Sequence, residues 1–380
     1  MHYRIIDSIS DVLATQMRQW NLTGNPFISP EFLRNLENHE CVTAQTGWQP
    51  HHIELLDDDR SVAFMPLYLK SNSYGEYVFD WSWANAYHQH GISYYPKLIT
   101  AIPFTPSNGP RVLHHADYPL NSLIPALYHV VQEVSQQVSA SGWHLLFTNE
   151  QQQQPWHEFD NLITRHDCQF HWHNKNYESF DDFLAALKSR KRKQIRKERA
   201  ALKQKNIQFQ RLIGNQIEPE HMKAFYKFYQ LTYQRHGHVG YLNPEFFEQL
   251  RQQMSEHILL IRALDDDECI ASALCLFDKS TLYGRYWGCQ KAVDGLHFET
   301  CYYQGIEFCI EQNLSRYDPG TQGEHKISRG FEPTQTCSFH QINHPEFARA
   351  IERFCQEEKE LMATHMGSLV QQQPFNANSS

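Results

Sequence analysis

The sequence predicts an α/β (α+β) fold of two similar lobes, each a mixed, mostly antiparallel sheet flanked by helices. Three observations carry this expectation. The chain has 380 residues, of which 41% are apolar and 13% aromatic, enough to bury a sizeable core and to form two domains. The order of elements legible in the second half, β-α-α-β-β-β-α-β, recurs in the first. Two short identities also lie in register between the halves at nearly equal offsets. Pro30, Glu31, Phe32 and Leu36 match Pro244, Glu245, Phe246 and Leu250, and the pattern KSxxYGxY from Lys70 to Tyr77 matches Lys279 to Tyr286. Collinear matches of this kind predict a tandem duplication with Lys70 equivalent to Lys279.

In the first half, "HYRIIDSI" reads as a strand, "SDVLATQMRQW" and "SPEFLRNLENH" as helices, and "WQPHHIELL", "SVAFMPLYL" and "EYVFDWSW" as three strands. A helix near "YYPKLI" completes the set. In the second half, "IQFQRLI" alternates like a strand. The helix in "EPEHMKAFYKFYQLTYQRHG" starts at Pro219, ends at Gly237 and shows Met222, Phe225, Tyr229 and Tyr233 on one face. "NPEFFEQLRQQM" offers Asn243 as cap and Pro244 as first helical residue. The runs "HILLIRAL", "CIASALCLF" and "TLYGRYWGC", separated by "DDDE" and "DKS", read as a three-stranded meander. A helix in "FETCYYQGIEFCIEQN" and a strand beginning "RYDPG" follow.

Between the halves lies "SRKRKQIRKERAALKQK". From Lys188 to Lys205 there are ten basic residues and one acid, Glu198, in a chain of net charge −9. Read as one helix, it puts Leu184, Leu187, Ile195 and Leu202 on an apolar stripe and Arg192, Arg196, Arg199 and Lys203 on an adjacent face, with Arg190, Lys193 and Lys197 extending the charge. Such a helix can dock by its stripe and offer guanidinium groups to phosphates. A solvated linker helix and a membrane-surface helix are the alternatives. Nine cysteines without paired spacing predict reduced core thiols rather than a disulfide framework. "RHDCQFHWH" splits its histidines between two faces of a strand, so a histidine-rich strand is expected there and no metal site. The opening residues lack a charged leader followed by an apolar run, and no stretch reaches the roughly 20 apolar residues of a membrane span, so a cytoplasmic protein is expected.

The element order of each half resembles the GNAT acyltransferase fold, and two such halves in one chain resemble the Fem-type transferases. The phrases "GEYVFDWSWANAY", "YYPKLITAIPFTPSNGPRVL", "FDDFLAALKSRKRKQIRKERAAL" and "DPGTQGEHKISRGFEPTQTCSFH" are similar to the FemAB-like predicted N-acyltransferases, sometimes labelled peptidogalycan biosynthesis proteins. The resemblance implies tandem GNAT-like lobes and acyl or aminoacyl transfer to an amine acceptor, without a metal, in cell-wall precursor modification. It implies a phosphate-bearing acyl donor, either acyl-CoA or aminoacyl-tRNA. Acetyl-CoA-using GNAT domains place a Q/RxxGxG/A loop after the fourth strand, where backbone N–H groups receive the pyrophosphate. Here the corresponding "GCQKAVDGLHFET" lacks that spacing, which leaves an aminoacyl-tRNA donor open.

The second polar constellation is "DPGTQGEHKISRGFEP". If "EHKIS" is extended, Glu324, Lys326 and Ser328 project to one side and His325, Ile327 and Arg329 to the other. Amine acylation needs a base for the ammonium proton and donors for the oxyanion. Glu324 or His325 is the candidate base, and Lys326 and Arg329, with Arg190, Arg192, Arg196 and Arg199, are candidates for holding donor phosphate. A glycine-rich hairpin with surface ion pairs is the alternative. Tyr283, on the strand that splays beside the donor in a GNAT-like half, is a candidate acid for the leaving group, against the reading of a half-buried strand aromatic. The expected division is 1–170 and 206–365 as lobes, 171–205 as a connecting strand and basic helix, and 366–380 as a disordered tail. Two rival functions stay open: a non-catalytic binder of tRNA or of a nucleotide-linked ligand, and a CoA-dependent N-acetyltransferase of a small molecule or protein.

Overall fold

The computed structural model describes residues 1–12, 14–321 and 323–376. They form two compact units, one of residues 1–167 with 335–364 and the other of 168–334 with 365–380. Residues 335–364, expected in the second lobe, lie in the first unit. The reason is pairing and burial: Ser338–Ile342 run antiparallel to Gly142–Leu146, and Cys337 and Phe339 enter the same core as Trp143 and Leu145.

The first unit holds a four-stranded antiparallel sheet of His2–Ile6, His52–Asp57, Arg60–Met65 and Leu113–His114. A second set of strands comprises Trp48–Pro50, Tyr68–Lys70, Lys97–Thr100 and Gly142–Leu146 with residues 338–342. The helix Leu120–Gln137 buries Leu123, Ile124, Leu127, Val131 and Val134 in the core. Several expectations are corrected here. "SVAFMPLYL" forms two strands because Pro66 cannot donate to a ladder, and Pro50 likewise precedes a break in "WQPHHIELL". "EYVFDWSW" is not a strand: Tyr77 sits at φ +61° and the helix Trp81–Gln89 starts after Asp80. "YYPKLI" yields the strand Lys97–Thr100 rather than a helix. Lys70 and Lys279 are therefore not equivalent, since Lys70 ends a strand and Lys279 occupies a turn. The Pro-Glu-Phe match does fall on like elements. Helices Pro30–Asn38 and Pro244–Met254 both carry proline in the first turn and a side-chain cap, from Ser29 and Asn243.

The second unit follows the expected order. Strand Gln208–Ile213 leads to helices Pro219–Arg235 and Pro244–Met254, then to the antiparallel strands Ile258–Asp265, Glu268–Phe277 and Thr281–Cys289. A helical run follows, made of Leu296–Phe298, a π-turn Glu299–Tyr303 and Gln304–Glu311, and Arg316–Asp318 then pairs parallel to Thr281–Tyr283. Gly288 has a packing reason: a Cβ there would lie 2.0 Å from the Phe228 carbonyl oxygen. Residues 366–371, expected to be disordered, are helical, and Phe375 forms a bridge with Leu187. Phe375 and Leu369 supply apolar burial that the polar composition of the segment concealed. Among the described residues no helix is long and apolar enough to cross a membrane.

Candidate active site

The strands Thr281–Cys289 and Arg316–Asp318 pair over three residues and then part. Pro319 has no N–H with which to continue the ladder, and Gly320, at φ +90°, turns the chain away. A Cβ on Gly284 would lie 3.0 Å from Tyr317 Oη and 3.3 Å from Pro319 Cα, so the fork closes tightly at its base. Above it lies a pocket of about 80 Å³ whose walls include Gly284, Tyr286, His297, Cys301, Tyr302 and Pro319.

Two backbone irregularities shape the walls. The ladder slips between Leu274 and Cys275, which face Tyr286 and Gly284, so Arg285 is the extra residue of a bulge. A bulge re-aims its side chain, and Arg285 donates to Asp318 at 2.8 Å. His171 Nε2 lies 3.9 Å from the other Asp318 oxygen, and burial holds its pKa down at about 4, so it is neutral. The second irregularity is the π-turn, a feature frequent at functional sites, which carries Cys301 and Tyr302 to the pocket.

Tyr302 Oη lies 2.9 Å from His325 Nε2. Burial raises the phenol's pKa and, with Lys326 and Arg329 nearby, lowers the imidazole's. At neutral pH both are uncharged and share one hydrogen bond. His297, held down at about 4 by burial, is neutral as well. Burial pushes the Cys275 thiol up to about 12 and the Cys301 thiol well above its ordinary value, so the pocket offers no thiolate.

Not all sequence candidates meet here. "EHKIS" is not extended: Glu324–Arg329 is a 3₁₀ helix between Gly323 and Gly330, both at positive φ. The expected alternation is lost, and Lys326, Ile327 and Arg329 turn inward together. Glu324 points outward, with His365 Nε2 3.3 Å from its carboxylate. Lys326 donates to the carbonyls of Gly320 (2.6 Å) and Thr321, and burial lowers its pKa to about 8. Arg329 donates to the His325 carbonyl and to Glu198 and lies over the Phe298 ring. Tyr283 donates to Asp278 at 2.9 Å, on the turn side of its strand.

The basic segment is two helices rather than one: Phe180–Ala186 carries Leu184, the chain extends at Leu187, and the basic helix is Ser189–Gln204. Ile195 and Leu202 are its buried residues. Arg199 is committed internally, to Glu299 (2.9 Å) and Glu307 (2.7 Å), and Tyr303 donates to Glu198. Arg196 pairs with Asp181 on the surface, and Arg192 donates to the Ala185 carbonyl. Arg190, Lys193, Lys197 and Lys203 are exposed. Sequence reasoning missed Arg285, Asp318, His297 and Tyr302. An arginine inside the apolar run "TLYGRYWGC" was the available signal for the first.

A family model described as FemAB-like, peptidogalycan biosynthesis/recognition, matches residues 8–377. No curated protein matches the chain. Among solved structures, FemX is similar at 13% identity and TM-score 0.54, over 93% of this chain and 100% of its own. A conserved protein of unknown function from Bacteroides thetaiotaomicron VPI-5482 is similar at 10% identity and TM-score 0.53, over 89% and 99%. The C-terminal domain of a putative lysylphosphatidylglycerol synthetase from Agrobacterium fabrum is similar at 9% identity and TM-score 0.53, over 89% and 94%. These likenesses show the fold.

Proposed function

The chain belongs to the FemAB-like family, and we propose that it is a cytoplasmic N-acyltransferase that moves an aminoacyl group from tRNA to an amine of a cell-wall precursor. The observation that carries the reading is the fork after Tyr283 and Asp318, which opens a pocket beside the Tyr302–His325 pair. The family supports the reaction class, and the fork supports a site in the second unit.

In this reading the acceptor ammonium passes a proton through Tyr302 to His325: the phenol hydrogen moves to Nε2 as Oη takes the amine's proton. The amine nitrogen attacks the acyl carbonyl carbon, the ester C–O bond breaks, and the amide forms. The proton held by His325 goes to the departing ribose hydroxylate, and the second proton that the nitrogen sheds as the amide forms leaves to solvent. Arg285, Asp318 and His171 fix the strand that walls the site.

Two features favour tRNA over CoA. The helix start after Gly295, where a GNAT domain would seat pyrophosphate, lies against the basic helix, with a Cβ at Gly295 3.8 Å from the Glu198 carbonyl oxygen. The exposed cations Arg190, Lys193, Lys197 and Lys203 lie on the basic helix outside that contact and suit the phosphates of a polynucleotide. The test is transfer of label from mixed radiolabelled aminoacyl-tRNA, and separately from acetyl-CoA, to a cell-wall precursor peptide. Label arriving only from acetyl-CoA would reverse the donor assignment.

A further inference from the structure

The first unit contains a buried charge cluster that the transfer reaction does not use. Lys70 and Lys97 are direct cross-strand partners in the antiparallel strands Tyr68–Lys70 and Lys97–Thr100, and both are fully buried. Like charges placed opposite each other repel, and buried ammonium groups persist only when paired. Their partners come from one short segment, the strap of residues 71–80. Lys97 Nζ donates to Ser73 (2.9 Å), Glu76 (2.8 Å) and Asp80. Lys70 Nζ donates to the Tyr74 carbonyl (3.1 Å) and Asn72 (3.5 Å) and lies 3.9 Å from Glu76. Among the described residues, every hydrogen bond and ion pair of the two ammonium groups ends on the strap.

The strap is held by polar contacts rather than by apolar burial: besides its bonds to the two lysines, it accepts from Trp48 Nε1 at the Tyr74 carbonyl and from the Phe104 N–H at the Gly75 carbonyl. Its buried residues are Ser73, Gly75, Glu76 and Asp80, whereas Tyr74 and Phe79 are exposed. The fit of its carboxylates is incomplete, because Glu76 Oε1 and Asp80 Oδ1 are buried without a hydrogen-bond partner. Such orphan acceptors forfeit the hydrogen bonds they had in water. Burial also pushes the Glu76 carboxyl up and the Lys70 ammonium down, which weakens the charge on both sides of the contact. The floor differs in character. It is a paired ladder, with Lys70 stacked on Trp48 at 3.8 Å and Lys97 beside the Tyr94 ring.

We propose that Lys70 and Lys97 are the floor of a second anion site in the first unit, selective for a phosphate or diphosphate group, whose place Glu76 and Asp80 of the strap hold in this structure. The two strap carboxylates converge on a lysine pair, so one multiply charged tetrahedral group can replace both. A single carboxylate would leave one ammonium buried and unpaired. Lysine binds phosphate as a point charge, without the planar match arginine needs. Entry of the anion displaces the strap, which makes the strap an internal competitor for the site.

The probe is inorganic pyrophosphate, with succinate as the dicarboxylate control. In the wild-type protein, saturating pyrophosphate should speed hydrogen exchange of the strap amides at 71–80, and succinate should not. In Glu76→Gln/Asp80→Asn the neutral strap competes less, so calorimetry should show pyrophosphate binding at least tenfold tighter than in wild type, and adding Lys97→Met should abolish the gain. If the double variant does not fold, strap exchange in the wild type decides alone. Strap exchange unaffected by pyrophosphate would overturn the site, and an equal response to succinate would overturn the phosphate selectivity. Neither result bears on acyl transfer in the second unit.

Discussion

Arg285 and Asp318 form an ion pair at 2.8 Å with both side chains only 2% exposed, joining a strand that continues to one that stops. Asp318 also accepts from the Gly320 N–H at 2.9 Å, which fixes the turn that opens the fork. Removing Asp318 takes the carboxylate from a buried arginine. Asp318→Ala is therefore expected to lower unfolding free energy by about 3–5 kcal/mol, measured by urea denaturation.

The Tyr302–His325 contact predicts a division among the candidate bases. His325→Ala should reduce kcat by about 10²-fold or more with little change in KM, and Tyr302→Phe should reduce it in the same sense, because each breaks the proton path. Glu324→Gln should leave kcat near wild type, since its carboxylate faces outward. Steady-state kinetics on the three variants checks this.

Buried histidines predict how stability depends on pH. Burial holds His144 down at about 3 and His171 and His297 at about 4. Below about 6.5 the unfolded chain takes up protons at these positions and the folded chain does not, so their contribution is present above that pH and is lost as pH falls toward 4. Each group removes up to about 1.4 kcal/mol per pH unit through that window. Urea midpoints should fall between pH 7 and pH 5, and His171→Gln should shrink the fall.

The basic helix should divide into two functional faces. Replacing Arg190, Lys193 and Lys197 by glutamine should flatten the salt dependence of tRNA binding, by about 0.7–0.9 in log–log slope for each phosphate no longer neutralised, without changing the urea midpoint. Arg199→Gln should instead lower the midpoint, because it leaves buried Glu299 with Gln304 but without its cationic partner. Filter binding at several salt concentrations and denaturation of the same proteins separate the two effects.

Much of the fold was legible because the second half obeys local rules. Asn243 and Pro244 start a helix as their chemistry directs, and "DDDE" and "DKS" turn between strands that periodicity alone reveals. The first half misled where proline and buried charge outweighed pattern. Pro66 divides an apolar run, and "KSNSYGEY", which matches a strand of the other half letter for letter at key positions, is a strap placed by Lys70 and Lys97. In the site, composition pointed to the "EHKIS" segment but not to its conformation. His325 faces Tyr302 only because positive-φ glycines at 323 and 330 wind the segment into a helix. The Arg285–Asp318 pair depends on a bulge, and a bulge is set by long-range register rather than by the residues beside it.

The most direct test is a single-turnover assay in which enzyme in excess is mixed with radiolabelled aminoacyl-tRNA and a precursor peptide, and the label reaching the peptide amine is followed in time. Wild type should transfer the label in one exponential phase. His325→Ala should bind the tRNA with unchanged affinity and transfer at least 10²-fold more slowly. Transfer by His325→Ala at the wild-type rate would contradict the role of His325 as the base.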